Sequence, residues 1–281
     1  INVKSALIAR ESVLQKKKKF KDILSILISS PFLFLRLFLK KISYVESNKF
    51  KYKYIFSAGK LLENKFKGKG KIIKIHHYDL DFFNEAKKFN EKKNYILFIS
   101  PATLNPDVYD NNPGYRHKNI LNFKNKQYFF NINNFLNSLK SITKLDILVA
   151  KHPKDNYNLE KNLKFKCYKN ITAELVKNSK FVLCFDTSAF QFAILANKPI
   201  IFLTSDLLPK LVKDDILTRC HFFNKSPINI NKTLDRQQIL NNLKVNKKIY
   251  RKYESLFISN TSKIIKQKKS CKIIYDFIKK A

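Results

Sequence analysis

Three almost wholly apolar runs stand in the middle of this 281-residue chain: Leu145–Ala150, Phe181–Phe185 and Ile200–Leu203. They are short, rich in β-branched and aromatic residues, and show no strict apolar–polar alternation. That pattern predicts strands buried on both faces, as in a parallel sheet covered by helices on either side. Gln127–Lys140 places Tyr128, Phe129, Ile132, Phe135, Leu136 and Leu139 at helical spacing, which predicts an amphipathic helix with that stripe in the core. Ala189–Ala196 predicts a short amphipathic helix between the second and third runs, and Tyr95–Ser100 a further strand. The fold class expected from this alternation is α/β.

Upstream, the pattern is looser. Ile1–Lys19 reads as a polar helix ending in the basic run Lys16–Lys19. Ile23–Leu39 is almost wholly apolar, broken by Ser29-Ser30-Pro31 and by Arg36, with lysines on both sides. It is slightly short of the roughly 20 apolar residues a spanning helix needs. Two readings stand: a helix lying in a membrane surface, or a buried helix of an N-terminal domain. Tyr52–Phe56 and Lys71–His77 read as strands, and strand, helix, strand fits the tail of a Rossmann-like domain. Asp81–Lys93 reads as a polar helix or linker. Past Leu203 a turn opens at Ser205-Asp206, and helices are expected over 233–243, 246–259 and 261–280. The last of these carries Ile264, Ile265, Ile273, Ile274 and Phe277 on one face.

Ligands of parallel sheets bind at the carboxyl ends of the strands, and two polar clusters fall there. Lys151-His152-Pro153-Lys154 follows the first run. Pro153 ends regular structure at His152, and an imidazole so held can donate to a phosphate or protonate a leaving group. Asp186-Thr187-Ser188 follows the second run, where a strand turns into a helix. Hydroxyls there can cap the helix or bind a phosphate. Each cluster has an ordinary reading too, a polar surface residue or a cap; together, on ends expected to be neighbours, they predict an anion site. The loop 101–117, after the Tyr95–Ser100 strand, offers Asp107 as a general base or acceptor contact, although Asp after Pro is also a common turn residue.

The runs "DILVAKHPKDNY" and "ITAELVKNSKFVLCFDTSAFQFAILANKPIIFL" resemble the C-terminal half of bacterial surface-polysaccharide glycosyltransferases of the GT-B type, the grouping that includes HP-motif sialyltransferases and Kdo transferases. The resemblance is clearest over 95–203. It implies two Rossmann-like lobes with a nucleotide-sugar between them, and no metal or other cofactor. His152-Pro153 would then contact the donor phosphate, Thr187-Ser188 would hold it from a helix N-terminus, and Glu174 would match a position in the preceding helix. Terminal helices of such proteins cross back onto the first lobe. A CMP-sugar is the favoured donor, and a glycan or lipid-linked glycan the acceptor. The acidic pair followed by Gly that supplies the base in HP-motif sialyltransferases is missing. On this reading the chain divides into 1–90, an incomplete first lobe bearing the hydrophobic, basic segment 20–43, and 91–281, a nucleotide-sugar-binding lobe with terminal helices. The first lobe is expected to be incomplete because the chain opens on Ile1 and contains no Met.

Composition adds a strong bias. With 56 basic against 21 acidic residues the formal net charge is +35, a field that attracts anionic membranes, nucleic acids and phosphorylated substrates. The abundance of Lys, Asn, Ile and Phe, all with A/T-rich codons, weakens that inference. Interleaved Lys and aromatic residues in Lys49–Tyr54 and Lys124–Phe130 could suit single strands, but no RNP, KH or zinc-knuckle pattern appears, so a nucleic-acid partner is not expected. Cys167, Cys184, Cys220 and Cys271 have no zinc spacing and suggest a reducing compartment. Asp79-Leu80-Asp81 reads as a helix opening rather than a metal motif. His76-His77 are adjacent strand residues facing opposite ways. The expectation is a glycosyltransferase at the cytoplasmic face of a membrane, with a nucleotide-sugar epimerase of the same fold or a basic nucleic-acid-binding protein as rivals.

Overall fold

The computed structural model describes residues 6–9 (backbone only), 52–87, 89, 94–101, 126–153, 162–208, 210–259 and 268–280. The chain divides into two compact units, residues 1–77 with 255–281, and residues 78–254.

The first unit holds a three-stranded parallel sheet in the order β1 (Ala6–Ala9), β2 (Tyr54–Ala58), β3 (Lys71–Ile75). The strand β1 corrects the polar helix expected over 1–19. It pairs with β2 in the register Ala6↔Tyr54 to Ala9↔Ser57, a contact across almost fifty residues that local patterning does not show. Helix α1 (Lys60–Phe66) joins β2 to β3. The C-terminal helix, Ser270–Lys280, lies against this sheet: Ile273, Ile274 and Phe277 pack on Phe56, Ala58 and Ile75. Phe277 meets Tyr54 and Phe56 edge to face at 4.8 and 5.6 Å. Residues Ile264 and Ile265 of the expected stripe lie outside the described residues. Gly59 ends β2 at φ 77°, and a Cβ there would fall 2.2 Å from the carbonyl oxygen of Leu256, so this close backbone approach requires glycine.

In the second unit six parallel strands follow one another: β4 (Ile96–Ile99), β5 (Ile147–Lys151), β6 (Lys166–Lys169), β7 (Phe181–Cys184), β8 (Ile200–Thr204) and β9 (Ile228–Asn229). Helix α2 (Tyr78–Glu85) precedes them, with Asp79 and Asp81 in its first turn. The helices α3 (Lys126–Thr143), α4 (Thr172–Asn178), α5 (Gln191–Leu195), α6 (Lys210–Phe222), α7 (Arg236–Asn242) and α8 (Lys247–Tyr253) complete it. The spatial order is β6-β5-β4-β7-β8-β9. Counted from β4, that is the doubly wound order 3-2-1-4-5-6 of the dinucleotide-binding fold, which reverses direction between its first and fourth strands.

The core agrees with the pattern. Every residue of the predicted α3 stripe is buried, from Leu136 and Leu139 at 0% exposure to Phe129 at 6%. The runs at β4, β7 and most of β5 and β8 are buried along their length. One expectation needs correction: the segment after β7 is not amphipathic. It opens as a 3₁₀ turn, Ser188–Phe190, and Gln191 to Ile194 are all buried. Phe190 stands among Phe202, Phe223 and Tyr253, with ring centroids 5.4 to 5.9 Å apart. An element so enclosed has no solvent face to keep polar.

Asparagine stops two helices. Asn197 and Asn224 take φ of 52° and 53° after α5 and α6, and the following amides, Lys198 and Lys225, donate back to Ala193 and Cys220, a Schellman ending. The second of these aims Lys225 inward. Its ammonium donates to the carbonyls of Ile200 (2.8 Å) and Asn242, tying β8 to α7. Burial pulls this ammonium from its ordinary 10.5 down to about 8, against a weaker upward pull from Cys220 and Cys184. Between those two values the unfolded chain therefore keeps a proton that the folded protein has lost, so this group adds stability as pH rises through the window. Comparing urea unfolding of the wild type with that of Lys225→Met should show the difference shifting toward the wild type between pH 8 and 10.5 and levelling beyond it. A difference that stays flat would mean that Lys225 is not shifted.

Candidate functional site

Of the residues expected to form an anion site, Lys151, His152, Pro153, Asp186, Thr187 and Ser188 are described, and they lie at the carboxyl edge of the six-stranded sheet, in the second unit. β4 is central: Ile99 pairs with Ala150 of β5 and with Cys184 of β7, and the Ser100 amide donates to Ala150 at 2.9 Å. Continuing that register by one and two residues sets Ser100 level with Lys151 and Phe185, and Pro101 level with His152 and Asp186. The two clusters expected on neighbouring ends are thus two positions apart, with β4 between them. β4 was legible as a strand, but its insertion between β5 and β7 depends on chain direction, which local patterning does not encode.

On one side, Lys151 ends β5 and pairs in register with Lys169 of β6. Lys151 and His152 are half-buried and Pro153 is exposed. Glu174 is half-buried in the first turn of α4, the helix that leaves this edge after β6. Lys154 and Asp107 lie outside the described residues, as does the hydrophobic segment 20–43.

On the other side the chain turns sharply after β7. Thr187 is extended (φ −145°, ψ 144°), and its hydroxyl oxygen accepts from the Ala189 amide at 3.3 Å. The capping reading of Thr187 is therefore correct. A capping hydroxyl keeps its own proton free to donate, so the cap does not preclude a ligand. Ser188 is exposed beside it.

Sequence reasoning missed the residue that holds this turn. Arg219, on α6, pairs with Asp186 at 2.5 Å, and the two side chains are 11% and 14% exposed. The same guanidinium donates to the Thr187 carbonyl at 3.5 Å and lies 5.5 Å from the centre of the Phe190 ring. Asp215, four residues earlier on α6, has its carboxyl raised, first by burial and then by Asp186, with Arg219 opposing. No motif links Arg219 to Asp186; the signal available was an arginine one turn after an aspartate, Asp215, on the helix face that also carries Val212, Ile216 and Cys220.

A cavity of about 200 Å³ in this unit lies elsewhere, between the C-terminal end of α5 and α8, lined by Leu195, Asn197, Lys247 and Arg251 among others. None of the strand-end residues lines it. Among the described residues no group of three or more His, Cys, Asp or Glu side chains is placed to hold a metal ion, and no helix is long and apolar enough to cross a membrane.

Fold and edge together define an α/β protein with Rossmann-like parallel sheets, and the strand order of the chain itself carries that assignment. No protein-family model matches the chain, and no curated protein does. Among solved structures it is similar to the UDP-GlcNAc 2-epimerase of Methanocaldococcus jannaschii in complex with UDP-GlcNAc and UDP, at 16% identity over 72% of this chain and 59% of that one, TM-score 0.37. It is also similar to the wall teichoic acid polymerase TagF, at 14% identity over 82% of this chain and 59% of that one, TM-score 0.43. A third is KpsC, the beta Kdo 2,7 transferase of Thermosulfurimonas dismutans, at 14% identity over 85% and 89% of the two chains, TM-score 0.29. The chain spans 59% of the length of the epimerase and of TagF.

The Arg219–Asp186 pair is nearly buried, so removing one partner strands a charge. Arg219→Met should lower unfolding free energy by about 3–5 kcal/mol. The double variant with Asp186→Asn should recover part of that loss, because neither charge is then left alone. Additive losses in a double-mutant cycle of urea unfolding would show that the two groups do not interact.

Proposed function

We propose that this protein is a glycosyltransferase that moves a sugar from an activated nucleotide donor onto a surface polysaccharide or lipid-linked glycan. One observation supports it above the others: the polar strand ends flank the point where a doubly wound sheet reverses, the place such sheets bind nucleotides. In the reaction the bond between the sugar's anomeric carbon and the phosphate oxygen breaks, the nucleotide leaves with the electron pair, and an acceptor hydroxyl bonds to the carbon. His152 donates to the departing phosphate, Lys151 adds positive charge beside it, and Thr187 and Ser188 donate from the far side of β4. Asp107 is the candidate to take the acceptor's proton. A CMP-sugar is the proposed donor, and no metal is required. The segment 20–43 with its lysines would hold the protein against the anionic inner face of the cell membrane, near a lipid-linked acceptor.

The test is transfer from CMP-, UDP- and GDP-sugars to a glycan acceptor, read as acceptor-dependent nucleotide release. His152→Ala should lower kcat by about 10²-fold or more with the unfolding curve unchanged; full activity would reduce His152 to a surface residue. Acceptor-independent inversion of the donor sugar would replace the transferase with an epimerase. Replacing Thr187 and Ser188 by Ala should cost about 1 kcal/mol of stability for the lost cap and weaken nucleotide binding about ten-fold or more. Wild-type affinity in that destabilised variant would leave the pair as a cap alone.

A further inference from the structure

Ser100 stands immediately after β4, at the reversal point itself, with the β5 end on one side and the β7 turn on the other. It is 2% exposed. Its backbone N–H donates to the Ala150 carbonyl, yet its hydroxyl has no hydrogen-bond partner among the described residues. A buried hydroxyl without a partner is a cost that a methyl group would not incur. Alanine would fit the same place, since Ser100 continues a strand of apolar residues, Ile96 to Ile99, all buried.

The other buried serine of this edge shows the contrast. The Ser205 hydroxyl, after β8, donates to Asn231 Oδ1 at 2.6 Å and accepts from the Leu207 amide at 3.2 Å. Its polarity is used by the fold. That of Ser100 is not, and it lies level with Lys151 and one residue short of the level of His152 and Asp186.

We propose that Ser100 is a ligand-binding residue of the carboxyl edge, its hydroxyl donating to the phosphate of a bound nucleotide held between His152 and the Thr187-Ser188 turn. This rests on the nucleotide reading of the edge and adds to it a contact from the central strand. It also joins two clusters that β4 separates: a phosphate seated over the end of β4 is the one placement that both can flank.

The experiment is titration of wild type and Ser100→Ala with CMP, CDP, UDP and GDP by calorimetry, beside thermal unfolding of both proteins. Ser100→Ala should unfold at the same or a higher temperature, because an unmet hydroxyl is gone, and should bind the nucleotide preferred by the wild type about ten-fold or more weakly. Should that variant fail to fold, Ser100→Cys, which keeps an atom in place but donates only weakly, should show the same loss. Equal or higher stability with wild-type affinity would overturn the role of Ser100 and leave the edge reading intact. If the wild type binds none of the four nucleotides, the edge reading fails and this contact with it.

Discussion

Parallel strands cannot be joined by tight turns. Each connection must carry the chain back to the end it started from, and both sheet faces must be covered to keep the ladder dry. In the second unit that constraint sends every loop following a strand to one edge. Winding outward from β4 through β5 and β6, then back past β4 to β7, β8 and β9, leaves the two directions diverging at β4. Loops on either side of that point lead away from each other. His152, Ser100 and the Asp186–Ser188 turn meet at one edge because of this winding, although 88 residues of sequence separate Ser100 from Ser188.

The edge is fixed from beneath by charge and aromatic packing. Arg219 spans the Asp186 carboxylate, the Thr187 carbonyl and the Phe190 ring, so one side chain of α6 sets the geometry of the turn after β7. Phe190 in turn belongs to the cluster with Phe202, Phe223 and Tyr253. Lys225 adds a second internal cation, fastened to carbonyls of β8 and α7. Buried charges of this kind are weak contributors to net stability but specific about position. A turn fixed this way would give the proposed phosphate contacts of Thr187 and Ser188 little freedom to lose on binding, the condition under which a few hydrogen bonds yield useful affinity.

Much of this was legible in order along the chain. Continuous apolar runs gave the strands β4, β5, β7 and β8 to within two residues, because a strand buried on both faces has no polar position to show. The α3 stripe was legible for the converse reason: one buried face imposes the 3.6-residue period. β6, with its half-buried Cys167 and Tyr168 between exposed lysines, carried no such mark, since it lies at the rim of the sheet. α6 was missed as well; Asp214, Asp215, Arg219 and His221 interrupt its apolar positions, and two of those interruptions, Asp215 and Arg219, are groups that face the Asp186 turn.

Local pattern by itself determined the strands β4, β5, β7 and β8, the helix α3, and the polar residues that follow β5 and β7. It placed His152, Thr187 and Ser188 at strand ends, because helix stops, caps and apolar runs are short-range properties of neighbouring residues. Tertiary structure alone decided which ends are neighbours. It put β4 between β5 and β7, brought Arg219 to Asp186 across 33 residues, set Ala6–Ala9 beside β2, and buried the Ser100 hydroxyl without a partner. Strand order and side-chain enclosure are settled by contacts between distant segments, where burial and hydrogen bonding across the sheet outweigh the preferences of any single stretch.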